Sequence, residues 1–246
     1  MRAPVDHIPA PPFLPGLEWV NSRPLHMRRL RGRPVLVEFW DFCRPNSMRT
    51  LPYVKAWHER YGSAGLTVIG VHSPGFPPSV DADAVRTAVG KLGIEYPVVI
   101  DSQLEVWRLY DNLGWPARYL WGADGMLVHY HYGEGGYEET ELEIQQLCGL
   151  EGALVAPLRP EDAPGAVLKP QSEDVAGPFS GLYEAGGVWA VLEGRGTVSV
   201  NGHPLSIDGP GCYELVSHPR STRGRLELRP SDGVRCHAVC FTPGVV

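Results

Sequence analysis

The stretch Val37-Glu-Phe-Trp-Asp-Phe-Cys-Arg-Pro-Asn-Ser-Met-Arg-Thr-Leu-Pro52 joins two patterns that together predict the fold of the first half of the chain. Pro34–Trp40 is a nearly continuous apolar run, which is typical of a strand covered on both faces. Residues Asn46–Tyr61 then place apolar side chains close to a 3.6-residue period, which predicts an amphipathic helix. The sequence therefore predicts a buried strand, a short loop containing Cys43, and a helix that carries Pro52.

Working outward from this stretch, strands and helices alternate. Further strands are predicted at Leu66–Val71, Pro97–Ile100, Ala117–Trp121 and Met126–Tyr132. Further helices are predicted at Asp81–Leu92, Gln103–Leu113 and Glu138–Leu147. The order βαβαβαββα predicts an α/β domain with a mixed sheet and helices on its faces.

The composition changes after Leu150. Residues 153–172 contain four prolines and no periodicity, which indicates a linker or a strapped-down extended segment. From Val175 onward every signal is β, including the Asn201-Gly202 hairpin pair. We therefore expect three regions: an α/β domain at 11–152, a linker at 153–172, and a small all-β sandwich or jelly-roll-like domain at 173–246.

Composition excludes several classes of protein. The 246 residues carry a net charge of −6, which argues against an electrostatic nucleic-acid binder. No run of 18 apolar residues predicts a transmembrane helix, and Met1–Pro15 lacks the apolar core of a signal peptide. Five cysteines are too few for a disulfide scaffold, so reduced thiols and a cytoplasmic location are expected.

Several short motifs resemble the TlpA-type thioredoxin-like proteins, and especially the thioredoxin-like part of DipZ-type proteins. They are Phe39-Trp40, Arg49–Tyr53, Val68–His72, Trp115-Pro116 and Gly133–Gly135. The resemblance covers Pro11–Gly152 and implies a thioredoxin-like fold with redoxin chemistry. It also implies a cis Trp115-Pro116 bond close to Arg44 and Ser47. The β-rich end is similar, more loosely, to the carbohydrate-binding-module-like domain of DipZ-type proteins.

The loop departs from the Cys-x-x-Cys pattern of that family. Thioredoxin-like helices keep a proline five residues after the second cysteine, and counting back from Pro52 places the two positions at Arg44 and Ser47. Both family cysteines are then missing, and Cys43 lies one residue too early. The sequence therefore predicts a degenerate site without dithiol–disulfide exchange inside the loop.

Three interpretations of Cys43 stay open. In the first, Cys43 is a monothiol nucleophile, with Arg44 and Arg49 as electrostatic support and Ser47 as a hydrogen-bond donor. It would then react with a peroxide, a thiol or disulfide protein, or a small thiol. In the second, Cys43 is a small apolar residue that fills the corner between strand and loop. In the third, the scaffold is a non-catalytic binding or assembly module, in which Trp40, Trp115 and Pro116 contact a peptide.

Two narrower thiol sites fit poorly. A peroxiredoxin would need a threonine where Trp40 stands, and a copper chaperone of the Sco kind would need a second cysteine where Ser47 stands. No cofactor is predicted, and self-association stays open.

No metal site is predicted. His129 and His131 are two residues apart on a strand and share a face, but no third ligand follows at a matching spacing, so exposed edge-strand histidines are expected. Cys236 and Cys240 are also expected on one strand face, with Cys212 on another strand. Trp189 is expected in the core rather than on a sugar-binding surface with Tyr183 and Tyr213.

Overall fold

A computed structural model describes residues 8–246 of the chain. They divide into two compact units. The first runs up to Asp41 and continues through Asn46–Gly75 and Val80–Ala156; the second contains Pro157–Val246 together with Phe42–Pro45 and Phe76–Ser79. No helix within the described residues is long and apolar enough to cross a membrane.

The first unit is built on one six-stranded sheet. Its elements are β1 (Glu18–Val20), β2 (Val35–Trp40), α1 (Pro45–Tyr61), β3 (Thr67–His72), α2 (Ala82–Lys91), β4 (Val98–Ile100), α3 (Glu105–Leu109), β5 (Ala117–Trp121), β6 (Leu127–Tyr132) and α4 (Tyr137–Cys148). The strand order is β1-β4-β3-β2-β5-β6. Strands β2, β3 and β4 are parallel, while β1, β5 and β6 pair antiparallel with their neighbours.

Burial explains why the central strand forms where it does. All six residues of β2 are buried, as expected for a strand covered on both faces. Val37 and Phe39 lie in a core cluster with residues of β3, β4 and β5. The predicted mixed sheet is confirmed, and β2 delivers its last residue, Trp40, directly into the loop before α1.

Two elements of this unit differ from the sequence prediction. The helix expected at Gln103–Leu113 is only Glu105–Leu109, because Leu104 and Asp111 take positive φ angles of 56° and 48° and end the helical geometry on both sides. Strand β1 was not predicted; it has three residues, pairs with β4 and forms one edge of the sheet.

The second unit is almost entirely β. Its strands are β7 (Leu168–Lys169), β8 (Val175–Ala176), β9 (Gly181–Gly194), β10 (Gly196–Val200), β11 (His203–Ile207), β12 (Gly211–Leu226), β13 (Leu228–Pro230), β14 (Val234–Thr242) and β15 (Gly244–Val245). They form the sheets β12-β9-β14-β8, β11-β10-β13 and β15-β7. One apolar cluster takes side chains from the first two sheets, including Val188 and Val198, so the predicted sandwich is confirmed.

The strand bounds and the linker of the second unit differ from the sequence prediction. The strands expected at Cys212–Val216 and Arg225–Leu228 are largely one long strand, β12, which is interrupted by two irregularities. Part of the expected linker 153–172 is structured, because β7 pairs with β15 near the end of the chain.

The shared strand face predicted for Cys236 and Cys240 is wrong. A bulge lies between Cys236 and Ala238 and resets the alternation of side chains. Cys236 lies in the sandwich core with Val239 and Phe241, and Cys240 lies outside that cluster. All five cysteines lie within the described residues, and no disulfide joins any two of them.

Candidate functional site

The loop between β2 and α1 is held by hydrogen bonds from its own residues. Trp40 is 1% exposed, and the backbone N–H of Asp41 donates to Ser47 Oγ at 3.2 Å. Ser47 lies in the first turn of α1 and is itself 1% exposed. Its hydroxyl, predicted to assist Cys43, therefore fixes the strand-to-helix connection.

A buried Asp41–His72 contact extends the loop toward β3. The backbone N–H of Gly75 donates to Asp41 Oδ2 at 2.7 Å, and His72 Nε2 lies 3.6 Å from Asp41 Oδ1. Both side chains are fully buried. The sequence analysis did not select this pair, although a polar residue at the end of a buried strand is a usable signal.

Cys43 and Arg44 lie in the second unit. The Cys43 side chain has no solvent exposure. The guanidinium carbon of Arg44 lies 5.0 Å from the centre of the Phe76 ring, within cation–π range. Burial raises the pKa of Cys240, and the charge of Arg44 opposes that rise. The positive charge of Arg44 therefore also acts on the Cys240 thiol of the same unit.

Arg49 forms an ion pair within the first unit. Its Nε donates to Glu134 Oε2 at 2.7 Å, and the two side chains are only 7% and 17% exposed. The positive charge is thus balanced by a carboxylate 85 positions along the chain. Electrostatic support of Cys43 by Arg49 stays a prediction.

The cis Trp115-Pro116 bond predicted from the resemblance is confirmed. The Trp115 indole N–H donates to the Ser73 carbonyl at 2.8 Å, and its ring lies 4.2 Å from that of Trp107, which is half-buried. Pro116 is buried and Trp115 is half-buried. Of the three residues predicted to contact substrate, Trp40 and Pro116 therefore present little surface.

Two buried ionisable side chains on neighbouring strands were missed by the sequence analysis. Glu38 of β2 lies opposite Arg118 of β5 in the antiparallel register, and neither side chain is exposed. Arg118 donates to the Gly135 carbonyl, and its guanidinium lies 4.9 Å from the centre of the Tyr137 ring. The available signal was one charged residue within each of two otherwise apolar strands.

Burial controls the ionisation of that pair. It raises the pKa of Glu38 to about 8, although the charge of Arg118 and a hydrogen bond from Tyr96 act in the opposite direction. The Tyr96 hydroxyl lies 3.4 Å from Glu38 Oε2. Burial also lowers the pKa of Arg118. The core of the first unit therefore contains a carboxyl group that titrates near neutral pH.

The histidines of β6 do not match their predicted exposure. His129 is 1% exposed and its Nε2 lies 3.2 Å from Thr140 Oγ1, because α4 covers that face of the strand. His131 Nε2 lies 3.0 Å from the Glu134 carbonyl oxygen. Within residues 8–246, no group of three or more His, Cys, Asp or Glu residues could hold a metal ion.

Comparison with known proteins places this geometry in context. No protein-family model matches the chain. It is 29% identical to the protein DipZ of Mycobacterium tuberculosis over an alignment of 294 positions, which covers 94% of this chain and 42% of DipZ. The chain therefore spans less than half the length of this relative.

Two other relatives match about half of this chain. The chain is 36% identical over 132 residues to SUPPRESSOR OF QUENCHING 1 of Arabidopsis thaliana, covering 53% of this chain and 12% of that protein. It is 22% identical over 139 residues to the thiol-disulfide oxidoreductase YkuV of Bacillus subtilis, covering 56% of this chain and 93% of that protein.

Solved structures show the same fold. A thioredoxin-like protein in its oxidised form matches 58% of this chain and 97% of its own, with a TM-score of 0.52 and 23% identity. A thioredoxin-like superfamily protein matches 59% of this chain and 99% of its own, with a TM-score of 0.53 and 21% identity. Over the part that these structures cover, the chain therefore has a thioredoxin-like fold, and it is similar to DipZ over 94% of its length.

Proposed function

We propose that this chain is a non-catalytic binding or assembly module on a redoxin scaffold, in which Cys43 is a structural thiol. The observation that carries the proposal is the complete burial of the Cys43 side chain. Thiol–disulfide exchange requires a thiolate to reach a disulfide sulfur, so a buried thiol reacts only when its surroundings open.

The residues predicted to assist Cys43 support the same proposal. Ser47 accepts a hydrogen bond from the Asp41 backbone, and Arg49 is paired with Glu134. Ser47 therefore holds the loop, and Arg49 joins α1 to the segment between β6 and α4; neither role depends on thiol chemistry.

The proposal includes the loss of the dithiol pair. The proline Pro52 lies inside α1, five residues after Ser47 and eight after Arg44. In our alignment with the family pattern, Arg44 and Ser47 stand at the two cysteine positions. A redox cycle within the loop would then have no sulfur to close it.

Differential alkylation tests the proposal on the full chain. The protein is treated with N-ethylmaleimide at pH 7.5, native and in urea, and each cysteine is quantified by mass spectrometry. We expect Cys43 to react at least about 100-fold more slowly in the native state, because access requires local opening. The half-buried Cys148 and Cys212 serve as internal controls and should react faster. Native labelling of Cys43 at the control rate would refute a structural thiol.

The second candidate is a monothiol oxidoreductase that acts on a thiol or disulfide protein or on a small thiol. It is favoured by the likeness to YkuV, which is named a thiol-disulfide oxidoreductase, and by the cation of Arg44 next to Cys43. In this reaction the Cys43 thiolate would attack a disulfide, form a mixed disulfide with one half, and release the other half as a thiolate.

Incubation with glutathione disulfide distinguishes the two candidates. The monothiol enzyme predicts a glutathione adduct on Cys43 that a Cys43→Ala variant lacks, whereas the module predicts no adduct at this position in the folded protein. The cytoplasmic location expected from the sequence remains a prediction, which cell fractionation tests. Self-association, which the sequence left open, is tested by sedimentation velocity.

A further inference from the structure

A cavity lies at the far end of β2 from the candidate site. Its volume is about 230 Å³, and it is lined in part by Met27, Leu30, Val35 and Trp121. All four side chains are at most 9% exposed and belong to the core cluster of the first unit. Val35 starts β2, whereas the loop with Cys43 follows the last residue of that strand. The cavity therefore has an apolar floor and is separate from the thioredoxin-like loop.

Three arginines complete the lining of this cavity. Arg28, Arg31 and Arg33 all contribute to it, and all three are exposed. None of them forms an ion pair with a carboxylate within the described residues 8–246. The chain as a whole carries a net charge of −6, so this edge of the cavity is a local concentration of positive charge.

A further polar group of the cavity lining has no partner. Trp121 is 2% exposed, and its buried Nε1 makes no hydrogen bond within residues 8–246. A buried N–H without an acceptor is unfavourable by about 1–3 kcal/mol, so such groups call for an explanation. The Trp121 side chain lines the cavity, whereas its Nε1 is closed off from it.

We propose that this cavity binds a small amphipathic carboxylate, with its apolar body against the floor and its carboxylate toward the arginines. Guanidinium groups recognise carboxylates through paired, charge-assisted hydrogen bonds. A cavity of about 150 Å³ holds benzene, so the larger volume here suits a fused pair of rings or a short branched chain.

Titration calorimetry of the full chain with 2-naphthoate tests the proposal. The uncharged analogue 2-naphthylmethanol has the same ring system and should bind at least about 10-fold more weakly. The variant Arg31→Gln/Arg33→Gln should lose a similar factor in affinity for 2-naphthoate. Arg29→Gln is the matched control, since Arg29 belongs to the same basic segment but does not line the cavity, and it should bind as the unchanged protein does.

Two further measurements locate the bound probe. Filling the cavity with Ala10→Phe should abolish binding, since Ala10 lines it, and circular dichroism checks that this variant still folds. The indole N–H resonance of Trp121, assigned through Trp121→Phe, should shift on titration with 2-naphthoate. Equal affinity for the acid and the alcohol, equal loss in Arg29→Gln and Arg31→Gln/Arg33→Gln, or no binding at millimolar probe would each overturn the proposal.

Discussion

At the scale of single residues, the most consequential group is Glu38. Its carboxyl has a pKa of about 8 in the folded chain, against 4.5 for an exposed glutamate, because burial penalises the charged form. The folded state therefore holds a proton that the unfolded state releases between about pH 4.5 and 8. Folding stability from this group is present below that window and falls as the pH rises through it.

We expect a Glu38→Gln variant to lose this pH dependence. Between pH 5 and pH 9 the free energy of unfolding of the variant should rise by a few kcal/mol relative to that of the unchanged protein. The size follows because one pKa unit corresponds to about 1.4 kcal/mol. Urea unfolding at several pH values measures it. A Glu139→Gln variant changes an exposed carboxyl of α4 and should follow the unchanged protein. A pH-independent difference for Glu38→Gln would contradict the buried titration.

Single residues also show what the sequence could and could not reveal about the site. Glu38 and Arg118 each interrupt an apolar strand, so their burial and pairing were open to prediction. The partners of Asp41 were not, because Gly75 lies 34 positions away and reaches it only through the fold. The same holds for Arg49, whose local sequence gives no sign of Glu134.

At the scale of elements, the proposed function depends on the junction of β2 with α1. Helix α1 begins at Pro45 and contains Pro52, and the alignment that we propose on Pro52 places Arg44 and Ser47 at the two cysteine positions of the thioredoxin-like pattern. Two sulfurs bond only when their α-carbons lie within about 4.4–6.8 Å and their side chains face each other. Restoring the pair therefore probes the register directly.

We expect the variant Cys43→Ala/Arg44→Cys/Ser47→Cys to form a disulfide within the loop under a glutathione redox buffer. Thiol counting in denaturant should show both new thiols oxidised, and reduction should restore them. The control Cys43→Ala/Arg44→Cys has a single loop thiol and should show no such loss. If both new cysteines stay reduced in an oxidising buffer that oxidises free dithiols, the assigned register is wrong.

Periodicity predicted the existence of elements better than their ends and faces. It gave β2, α1 and the hairpin β5–β6, because long apolar runs and a short turn are local signals. It overextended α3, where Leu104 and Asp111 adopt positive φ angles without being glycine. It also assigned Cys240 the wrong face, since a bulge adds a residue that an alternating pattern cannot show.

At the scale of the whole chain, the two units are not continuous in sequence. The second unit takes Phe42–Pro45 and Phe76–Ser79 as well as everything after Ala156, and it begins inside the predicted linker 153–172. A change in composition marks a boundary along the sequence but cannot show which distant segments pack together. The pairing of β7 with β15 is the clearest example, because it joins residues about 75 positions apart through a two-residue strand on each side.

That pairing depends on close backbone approach at Gly244. A β-carbon there would clash with the backbone of Ser221, so Gly244→Ala should displace β15 and release β7. Val167 and Leu168 are exposed and match the specificity of thermolysin for large aliphatic residues. We expect thermolysin to cleave the folded Gly244→Ala variant at these residues several-fold faster than the unchanged protein, because local unpairing exposes the backbone.

Gly211→Ala is the matched control, since a β-carbon at Gly211 would make only an ordinary contact of 3.5 Å with Tyr213. Mass spectrometry of the fragments measures the cleavage. Equal cleavage of the two variants would show that β15 does not hold the segment with Val167 and Leu168 in place.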